Sequence, residues 1–309
     1  MKAQPTLRQL RFLVAVADRR HFGRAADSCF VSQSTLSAAI QGLEDALGVT
    51  LFERTRRSVA PTAIGLEIAD RARAILKEAE DLVDMALASH DPLSGPLQLG
   101  VIPTIGPFLL PRVLPELREA APRLKIYLRE EQTAPLLERL DMGLIDAAII
   151  ALPVPLANVE TEDVALDRFF VVCSRAHRLA KLAAIRPGDM VKEDLLLLED
   201  GHCLREHALA ACRFEGARRN LAFQGTSLQT LVLMAANGLG VTLVPELAID
   251  AGVLAGLDLH VAPLEGDRPF RRIALAWRRT SGRAETFRRI ADLIRRALAP
   301  AGDSVQAFA

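Results

Sequence analysis

The sequence predicts an all-α N-terminal segment with a small two-stranded wing, joined by a long helix to a larger α/β body. Three observations lead to this prediction. Short amphipathic helices fill the first 50 residues, and one long helical repeat follows between residues 62 and 89. Beyond a Pro/Gly-rich hinge at residues 91–98, apolar strands alternate with helices, which is typical of an α/β domain.

The composition is that of a globular protein with more than one domain. Of the 309 residues, 50% are hydrophobic and 25% are charged. No apolar run approaches the roughly 20 residues that span a bilayer. The N-terminal stretch MKAQPTLRQLRFLVAVADRR is interrupted by charge and lacks the apolar core of a signal peptide. We therefore expect a cytoplasmic protein.

The charge is unevenly distributed along the chain. The formal net charge is zero, yet residues 1–60 contain nine Lys/Arg and only five Asp/Glu. The remaining residues must therefore carry a net negative charge. This pattern favours a protein that contacts phosphate with one end only, and it argues against a chain that is basic throughout.

The N-terminal segment has the pattern of a helix-turn-helix. Helices are predicted at residues 6–19 and 22–29, and a third helix begins at the N-cap residue Ser32 and stops at Gly48. The following LFERTRRSVAPT predicts the wing. In such motifs the second helix of the pair enters the major groove of DNA.

Polar residues opposite the apolar stripe of the third helix, together with the wing arginines, are the candidate DNA contacts: Ser32, Gln33, Ser34, Thr35, Ser37, Gln41, Arg54, Arg56 and Arg57. Gln pairs with adenine edges, Ser serves bases or phosphates, and Arg meets phosphates or a minor groove. The alternative is a solvated polar helix beside a charged loop.

A long helix is predicted from Thr62 to about Ser89. Its apolar residues alternate by threes and fours in a narrow stripe: Ile64, Ile68, Ala72, Ile75, Ala79, Leu82 and Ala86. A narrow stripe favours packing against a partner helix, and thus a dimer. Docking of this helix on its own domain is the alternative.

The body is predicted to contain parallel sheets covered by helices. The strands LQLGVI, KIYLREE and DAAIIAL are separated by helices at 107–121 and 133–142. Later strands are predicted at FFVVC (169–173), LLLLE (195–199), VTLVP (241–245) and RIALAW (272–277).

The segment LLLLEDGHCLREHALAACRFEGA (195–217) carries the most specific chemistry. A strand ends, Asp200 and Gly201 turn the chain, and a helix begins near Cys203. A helix N-terminus and the neighbouring His202 and Arg205 each favour thiolate over thiol. A thiolate attacks the O–O bond of a peroxide and becomes a sulfenic acid.

Cys212 follows nine residues later. An unbroken helix would separate the two residues by about 13.5 Å along its axis and place them on opposite faces, whereas a disulfide needs Cα atoms within roughly 7 Å. If the pair bridges, the helix must unwind, which indicates a switch rather than a staple. Two unrelated buried cysteines, or metal ligation by His202, Cys203, His207 and Cys212, are alternatives. Cys29 and Cys173 are interpreted as small core residues.

The stretch from LRQLRFLVAVADRR to VAPTAIG resembles the winged helix-turn-helix of the LysR-type regulators. The resemblance extends over the linker helix and the body, which it implies is a two-lobed, periplasmic-binding-protein-like effector domain. It implies a DNA-binding domain at 1–62, a linker at 63–92 and an effector domain at 93–309. Lobe I would cover about 93–166 and 270–300, and lobe II about 167–269. It also implies a homodimer or homotetramer on promoter DNA, with RNA polymerase as a further partner.

EDGHCL with a second cysteine nine residues after the first, GVIPTIGPFLLP, EEQTAPLLERLD and GTSLQTLVLMAANGLGVTLVP are similar to the peroxide-sensing members of this family. The similarity implies that Cys203 is peroxidatic and Cys212 resolving, in a reversible disulfide. It also implies that Thr104, Thr133, His202 and Arg271 bind hydrogen peroxide, with no cofactor or metal. The residues before Arg271, at 250–269, depart most from the pattern. Thr133 is alternatively a helix cap.

The leading hypothesis is thus a peroxide-sensing regulator of oxidative-stress defence genes, and not an enzyme. A family member that senses a small metabolite between the lobes is the nearest alternative. A thiol peroxidase is more remote, since the N-terminal segment predicts DNA binding. A two-lobed solute-binding protein conflicts with the same segment.

Overall fold

The structure is a computed structural model that describes residues 4–54, 59–88, 91–211, 219–265 and 270–299. The chain forms two compact units. The first lies within residues 1–90 and also includes Ser281–Arg283, and the second lies within residues 91–280 and continues from Ala284.

The first unit contains the predicted helices and wing. Its elements are α1 (Leu7–Arg19), α2 (Phe22–Ser28), α3 (Gln33–Leu47), the antiparallel pair β1 (Phe52–Arg54) and β2 (Val59–Pro61), and α4 (Ala63–Ala88). Ser32 caps the start of α3, and Gly48 ends α3 with a φ of 70°, a left-handed conformation that glycine adopts without strain. The sequence-based limits of α3 are therefore confirmed.

One core joins the helices of this unit. Leu13, Val16, Leu36, Ile40 and Leu43 are fully buried in it. The start of α4 packs on α1 through small side chains, since Ala69 and Ala72 are also buried. Part of the long stripe on α4 thus docks on its own domain, as one of the two interpretations predicted.

The rest of the α4 stripe is exposed in this chain. Ile75 is 49% exposed and Leu82 is 64% exposed, and Val83, which lies beside the stripe, is 60% exposed. These side chains lie toward the C-terminal half of α4, beyond the alanines that pack on α1. An apolar stripe of this kind is still available to a partner helix.

The second unit begins with strands and helices that alternate. Its elements are β3 (Gly95–Val101), α5 (Gly106–Ala120), β4 (Leu124–Glu130), α6 (Thr133–Asp141), β5 (Ala147–Leu152), β6 (Val159–Ser174), a 3-10 turn (Arg178–Lys181), α7 (Pro187–Met190), β7 (Leu195–Leu198), α8 (Cys203–Ala211), β8 (Arg219–Gly225), α9 (Leu228–Ala236), β9 (Thr242–Pro245), α10 (Glu246–Asp250), β10 (Leu259–Pro263), β11 (Phe270–Arg278) and α11 (Ala284–Leu298).

The expectation of parallel sheets is confirmed only in part, because the large sheet is mixed and the two-stranded sheet β7-β8 is parallel. The large sheet has the order β10-β6-β11-β5-β3-β4, and β9 also pairs with β6. β3 is parallel to β4 and β5, and β7 is parallel to β8, but β11 runs antiparallel to both β5 and β6. The large sheet is mixed because its later strands, above all β11, run antiparallel to their neighbours.

The two-lobed form follows from the length of β6. Residues Val159–Arg168 of β6 pair with β11, whereas residues from Phe169 onward pair with β9 and β10. One buried cluster surrounds β3, β5 and β11 with α5, α6 and α11, and a second surrounds β7 and β9 with α8 and α9. One strand therefore serves both cores. None of the helices in the described ranges is long and apolar enough to cross a membrane.

Candidate functional site

The polar side chains of α3 are exposed to solvent, so a ligand can contact them. Gln33, Ser34, Thr35 and Gln41 are exposed, and Ser37 is partly exposed, while the opposite stripe is buried. Ser32 is also exposed, but its Oγ accepts a hydrogen bond from the Thr35 backbone N–H at 3.2 Å. Ser32 therefore starts the helix, and any DNA contact it makes is additional.

A buried carboxylate that the sequence interpretation missed ties α3 to the wing. Glu44 is 8% exposed, and its Oε1 accepts hydrogen bonds from the backbone N–H groups of Leu51 (2.8 Å) and Phe52 (3.2 Å). The signal was an acidic residue four positions after the buried Ile40. Arg54 ends β1, and the predicted contacts Arg56 and Arg57 lie outside the described residues.

The thiol site is built at the start of α8. Gly201 has a φ of 94°, and a Cβ added to it would lie 2.5 Å from the Oε1 atom of Gln132. Only glycine suits this turn. The predicted helix start near Cys203 is confirmed, since Cys203 is the first residue of α8, and it is a partly buried free thiol. Cys212, the predicted resolving cysteine, lies outside the described residues.

His202 and Arg205 were both expected to favour the thiolate of Cys203, but the structure gives these two residues other roles. Arg205 donates from Nη1 to the Leu198 carbonyl at 2.9 Å, and its Nε lies 3.1 Å from a carboxylate oxygen of Asp200, so it fastens the turn before α8. Burial lowers the pKa of His202, although Glu199 opposes this shift. Near neutral pH, His202 is thus a neutral ring rather than a positive charge.

Cys203 opens onto a cavity of about 530 Å³ between the two lobes. Its lining comes from α6, from the segment after β5 and from the start of α8: Thr133, Ala134, Leu137, Glu138, Pro153, Val154, Pro155, Gly201, His202, Cys203, Glu206 and His207. The first two segments contribute the apolar side chains together with Thr133 and Glu138, and the start of α8 contributes the other polar ones.

Two buried polar atoms of the lining have no hydrogen-bond partner among the described residues. They are Thr133 Oγ1 and His207 Nδ1. Gln132, not Thr133, is the N-cap of α6, so the capping alternative for Thr133 is wrong. Buried polar groups usually have a partner, and both atoms are therefore candidates to bind a small polar ligand.

The tautomer of His207 follows from its other nitrogen. His207 Nε2 lies 3.2 Å from the backbone carbonyl of Pro153, and a carbonyl only accepts, so Nε2 carries the hydrogen. Nδ1 is then a hydrogen-bond acceptor. Burial lowers the pKa of His207, and the positive charge of Arg271 acts in the same direction against the opposing bond to Pro153. The sequence interpretation considered this residue only as a metal ligand.

The other two predicted peroxide-binding residues form a buried pair. Arg271 donates from Nη1 to Thr104 Oγ1 and from Nη2 to the Thr104 carbonyl, both at 2.9 Å. Its Nε donates to Asp167 Oδ2 at 2.9 Å, and Asp167 accepts a further bond from the Leu247 N–H. Thr133, His202 and Cys203 thus meet at the cavity, whereas Thr104 and Arg271 meet each other.

The remaining cysteines differ in burial. Cys173 is completely buried in the second lobe, and desolvation, with a smaller effect of Glu193, raises the pKa of its thiol to about 11. The core interpretation of Cys173 is confirmed. Cys29 is only partly buried and packs at the edge of the first unit's core. Within the described ranges, no three His, Cys, Asp or Glu side chains converge as metal ligands.

A winged helix-turn-helix unit followed by a two-lobed α/β unit with a ligand-sized cavity defines a DNA-binding regulator with its own sensing domain. The chain belongs to the LysR family of bacterial regulators. Residues 7–66 match the bacterial regulatory helix-turn-helix protein of the lysR family, and residues 90–299 match the LysR substrate binding domain.

Individual relatives are similar over almost the whole chain. The hydrogen peroxide-inducible genes activator of Dickeya chrysanthemi is 42% identical over 290 residues, which cover 94% of each chain. A full-length OxyR variant of Pseudomonas aeruginosa is 38% identical, with a TM-score of 0.78 and 95% of each chain covered. A hydrogen peroxide-bound OxyR variant of Corynebacterium glutamicum is 35% identical, with a TM-score of 0.66, covering 96% of this chain and 94% of that chain.

Proposed function

We propose that this protein is a hydrogen peroxide-responsive regulator of transcription that detects its signal by oxidation of Cys203. The observation that carries the proposal is the position of this thiol. It lies at the N-terminus of α8, on a cavity where the Thr133 hydroxyl and His207 Nδ1 lack partners. Relatives that are named for peroxide induction, at 42% identity over 94% of the chain, support the same function.

The first unit binds promoter DNA. The exposed face of α3 enters the major groove with Gln33, Ser34, Thr35, Ser37 and Gln41. The wing arginines at positions 54, 56 and 57 contact phosphates or a minor groove. The exposed stripe on α4 pairs with the same stripe of a second copy, giving dimers and tetramers, and the bound assembly contacts RNA polymerase.

The sensing reaction takes place at the cavity. The Cys203 thiolate attacks one oxygen of H2O2 and the O–O bond breaks. Sulfur is oxidised to a sulfenic acid, and the second oxygen leaves as hydroxide, which takes a proton to become water. The Thr133 hydroxyl and the His202 ring hold the peroxide, and Thr104 and Arg271 are the further peroxide-binding residues, whose hydrogen bonds would stabilise the leaving oxygen.

The second step converts the oxidation into a change of shape. The Cys212 thiolate attacks the sulfenic sulfur, an S–S bond forms, the S–O bond breaks, and hydroxide leaves and takes a proton to become water. α8 runs from Cys203 to Ala211, and a helix of this length puts about 12 Å between its ends, whereas a disulfide needs Cα atoms within about 7 Å. Formation of the disulfide therefore requires α8 to unwind, and that local refolding changes the output at oxidative-stress defence genes.

The reaction is a signal rather than steady catalysis, because each oxidation must be reversed before the next. Since its partner is promoter DNA, the protein acts in the cytoplasm. We place the functional boundaries at residues 1–62 for the DNA-binding domain, 63–92 for the linker and 93–309 for the effector domain. Within the effector domain, we place the lobe limits at about 93–166 with 270–300, and at 167–269.

Replacement of one sulfur tests this function. In Cys203→Ser, we expect operator binding to persist while the peroxide-induced change in the footprint and in transcription in vitro is lost. Cys173→Ser is the matched control, since its thiol is buried and protonated, and it should respond like the wild type. An unchanged peroxide response in Cys203→Ser would favour a regulator that senses a metabolite. Continuous peroxide consumption without a specific footprint would favour a thiol peroxidase.

A further inference from the structure

We propose that Asp167 is a positioning residue for the oxidation of Cys203 and acts through Arg271 on the hydroxyl of Thr104. The inference rests on the proposed function, in which Thr104 and Arg271 bind the peroxide, and it adds a residue that does not line the cavity. It depends on the hydrogen bonds of a buried network that consists of Asp167, Arg271 and Thr104.

The carboxylate of Asp167 is held by two elements. Asp167 and Arg271 lie directly opposite each other on β6 and β11, and both are almost completely buried. One carboxylate oxygen, Oδ2, lies 2.9 Å from both Nε and Nη2 of Arg271. The other oxygen, Oδ1, accepts a hydrogen bond from the Leu247 N–H at 3.0 Å, at the start of α10. The carboxylate therefore cannot turn without losing a bond to β11 or to α10.

The guanidinium of Arg271 has a partner at each of its three nitrogens. Nη1 donates to Thr104 Oγ1, Nη2 donates to the Thr104 carbonyl, and Nε donates to Asp167. The ring of Phe169 lies against the guanidinium, with its centroid 6.0 Å from Cζ, and adds a cation–π contact. A planar guanidinium between two fixed acceptors has one orientation. Asp167 thus sets the plane in which Arg271 faces Thr104.

The bond from Arg271 determines what the Thr104 hydroxyl can do. A hydroxyl has one hydrogen to donate and two lone pairs to accept. Because Thr104 Oγ1 accepts from Arg271, its own hydrogen is directed elsewhere. A charged donor on this oxygen also makes its O–H a stronger donor. In the proposed reaction, the acceptor is the peroxide oxygen that leaves as hydroxide.

The network lies close to the thiol site. Thr104 lies in the turn between β3 and α5, and the adjacent Ile105 belongs to the core cluster against which Cys203 packs. Burial lowers the pKa of His207, which lines the cavity, and the positive charge of Arg271 adds to this shift. The charge of Arg271 therefore acts on the cavity although its side chain is buried.

Asp167→Asn removes the charge and one acceptor with almost no change in size. The single amide oxygen replaces only one of the two carboxylate oxygens, so the NH2 group faces either the Leu247 N–H or the Arg271 guanidinium, a donor against a donor. Arg271 then loses its fixed orientation, and Thr104 donates less effectively to the leaving oxygen. Attack of the thiolate on an alkylating agent, which has no O–O bond, does not need this donor.

The test compares two reagents on the reduced full-length chain. The second-order rate constants for loss of the Cys203 thiol to H2O2 and to iodoacetamide are measured by rapid quenching and mass spectrometry. In Asp167→Asn, the ratio of the H2O2 rate constant to the iodoacetamide rate constant should fall about tenfold, which corresponds to about 1.4 kcal/mol. Asp163→Asn is the matched control on the same strand, since Asp163 pairs with Arg272 in a partly exposed position. Its ratio should equal that of the wild type.

A double variant separates positioning from a general loss of structure. Thr104→Val removes the hydroxyl with almost no change in volume and should lower the ratio about a hundredfold. If Asp167 acts through this hydroxyl, Asp167→Asn should lower the ratio no further in the Thr104→Val background. Effects that multiply in the double variant, or a wild-type ratio in Asp167→Asn, would overturn the inference and leave the proposed function standing.

Should Asp167→Asn fail to fold, Asp167→Ser makes the same comparison. The smaller side chain leaves room for a water molecule beside the guanidinium but supplies no charge that orients it. The ratio should again fall about tenfold, and Thr104→Val should again abolish the difference. A wild-type ratio in Asp167→Ser would then overturn the inference. A wild-type Cys203 that H2O2 leaves reduced would instead contradict the proposed function itself.

Discussion

At the scale of single residues, the second unit depends on a buried charge that is fully paired. Arg271 is 1% exposed and Asp167 is 3% exposed, and the guanidinium divides its hydrogen bonds between Asp167 and Thr104. Removing one partner of such a pair leaves an uncompensated buried charge, which costs far more than the loss of an exposed pair. Thr104 is therefore held in place by the same contacts that satisfy Arg271.

Replacement of Arg271 should be strongly destabilising. For Arg271→Leu, we expect the free energy of unfolding to fall by about 3–5 kcal/mol, because Asp167 loses its partner in the core. Unfolding in urea is followed through the fluorescence of Trp277, the single tryptophan, which is buried on the same strand, β11. Arg272→Leu is the control, since its ion pair with Asp163 is partly exposed to solvent and should be worth less than about 1 kcal/mol. Equal losses in the two variants would contradict this account.

Single residues could be predicted only where the signal is local. Neighbouring sequence alone predicts Ser32 and Gly48 as helix limits, and it predicts that a helix begins near Cys203. The acceptor role of His207 could not be predicted, because it depends on the Pro153 carbonyl 54 positions away. Glu44 shows the same limit, since its partners are backbone N–H groups beyond the end of α3.

At the scale of elements, α4 has one surface that packs within its own unit and another that is exposed to solvent. Its small side chains pack on α1, and its larger ones, including Ile75, Leu82 and Val83, stay exposed. The sequence repeat predicts the whole stripe, but it cannot predict which part is buried and which is exposed. That difference depends on which residues of α4 are covered by α1. The exposed part supports the proposal that α4 pairs with a second copy.

A charge within this stripe should weaken self-association. For Leu82→Asp, we expect the dimer dissociation constant to rise by at least tenfold, about 1.4 kcal/mol or more, because pairing would bury an unpaired carboxylate. Analytical ultracentrifugation of the reduced chain measures it. Leu144→Asp, which charges another exposed leucine (46%) in the second unit, should associate like the wild type. Identical dissociation constants for the two variants would rule out α4 as the interface.

Strands were harder to predict than helices. β6 was expected as five residues and has sixteen, because its first ten residues carry mixed polarity while they pair with β11. β8 and β10 were not predicted. β10 lies at the edge of the sheet, has only five residues and does not alternate strictly between buried and exposed positions, so its sequence signal is weak. The antiparallel return of β11 is a property of the whole chain that no local pattern encodes.

At the scale of the whole molecule, the charge distribution and the two units agree. The positive excess lies in the first 60 residues, which form the helix-turn-helix and wing, and the cavity with Cys203 lies in the second unit. Both architectures were predicted from sequence because one carries a helical repeat and the other an alternation of strands and helices. The cavity could not be predicted from sequence, because its walls come from three segments that lie up to 74 positions apart in the chain.

The central claim is that α8 cannot stay helical once Cys203 and Cys212 are joined. Hydrogen exchange of the full-length protein, before and after one equivalent of H2O2, measures directly whether α8 stays helical. Mass-spectrometric mapping of the disulfide establishes whether the bridge has formed. We predict that backbone amides of residues 203–211 lose protection on oxidation, while those of α9 do not, and that Cys203→Ser shows no change. Unaltered protection of α8 in a chain whose Cys203–Cys212 bridge has formed would contradict the claim.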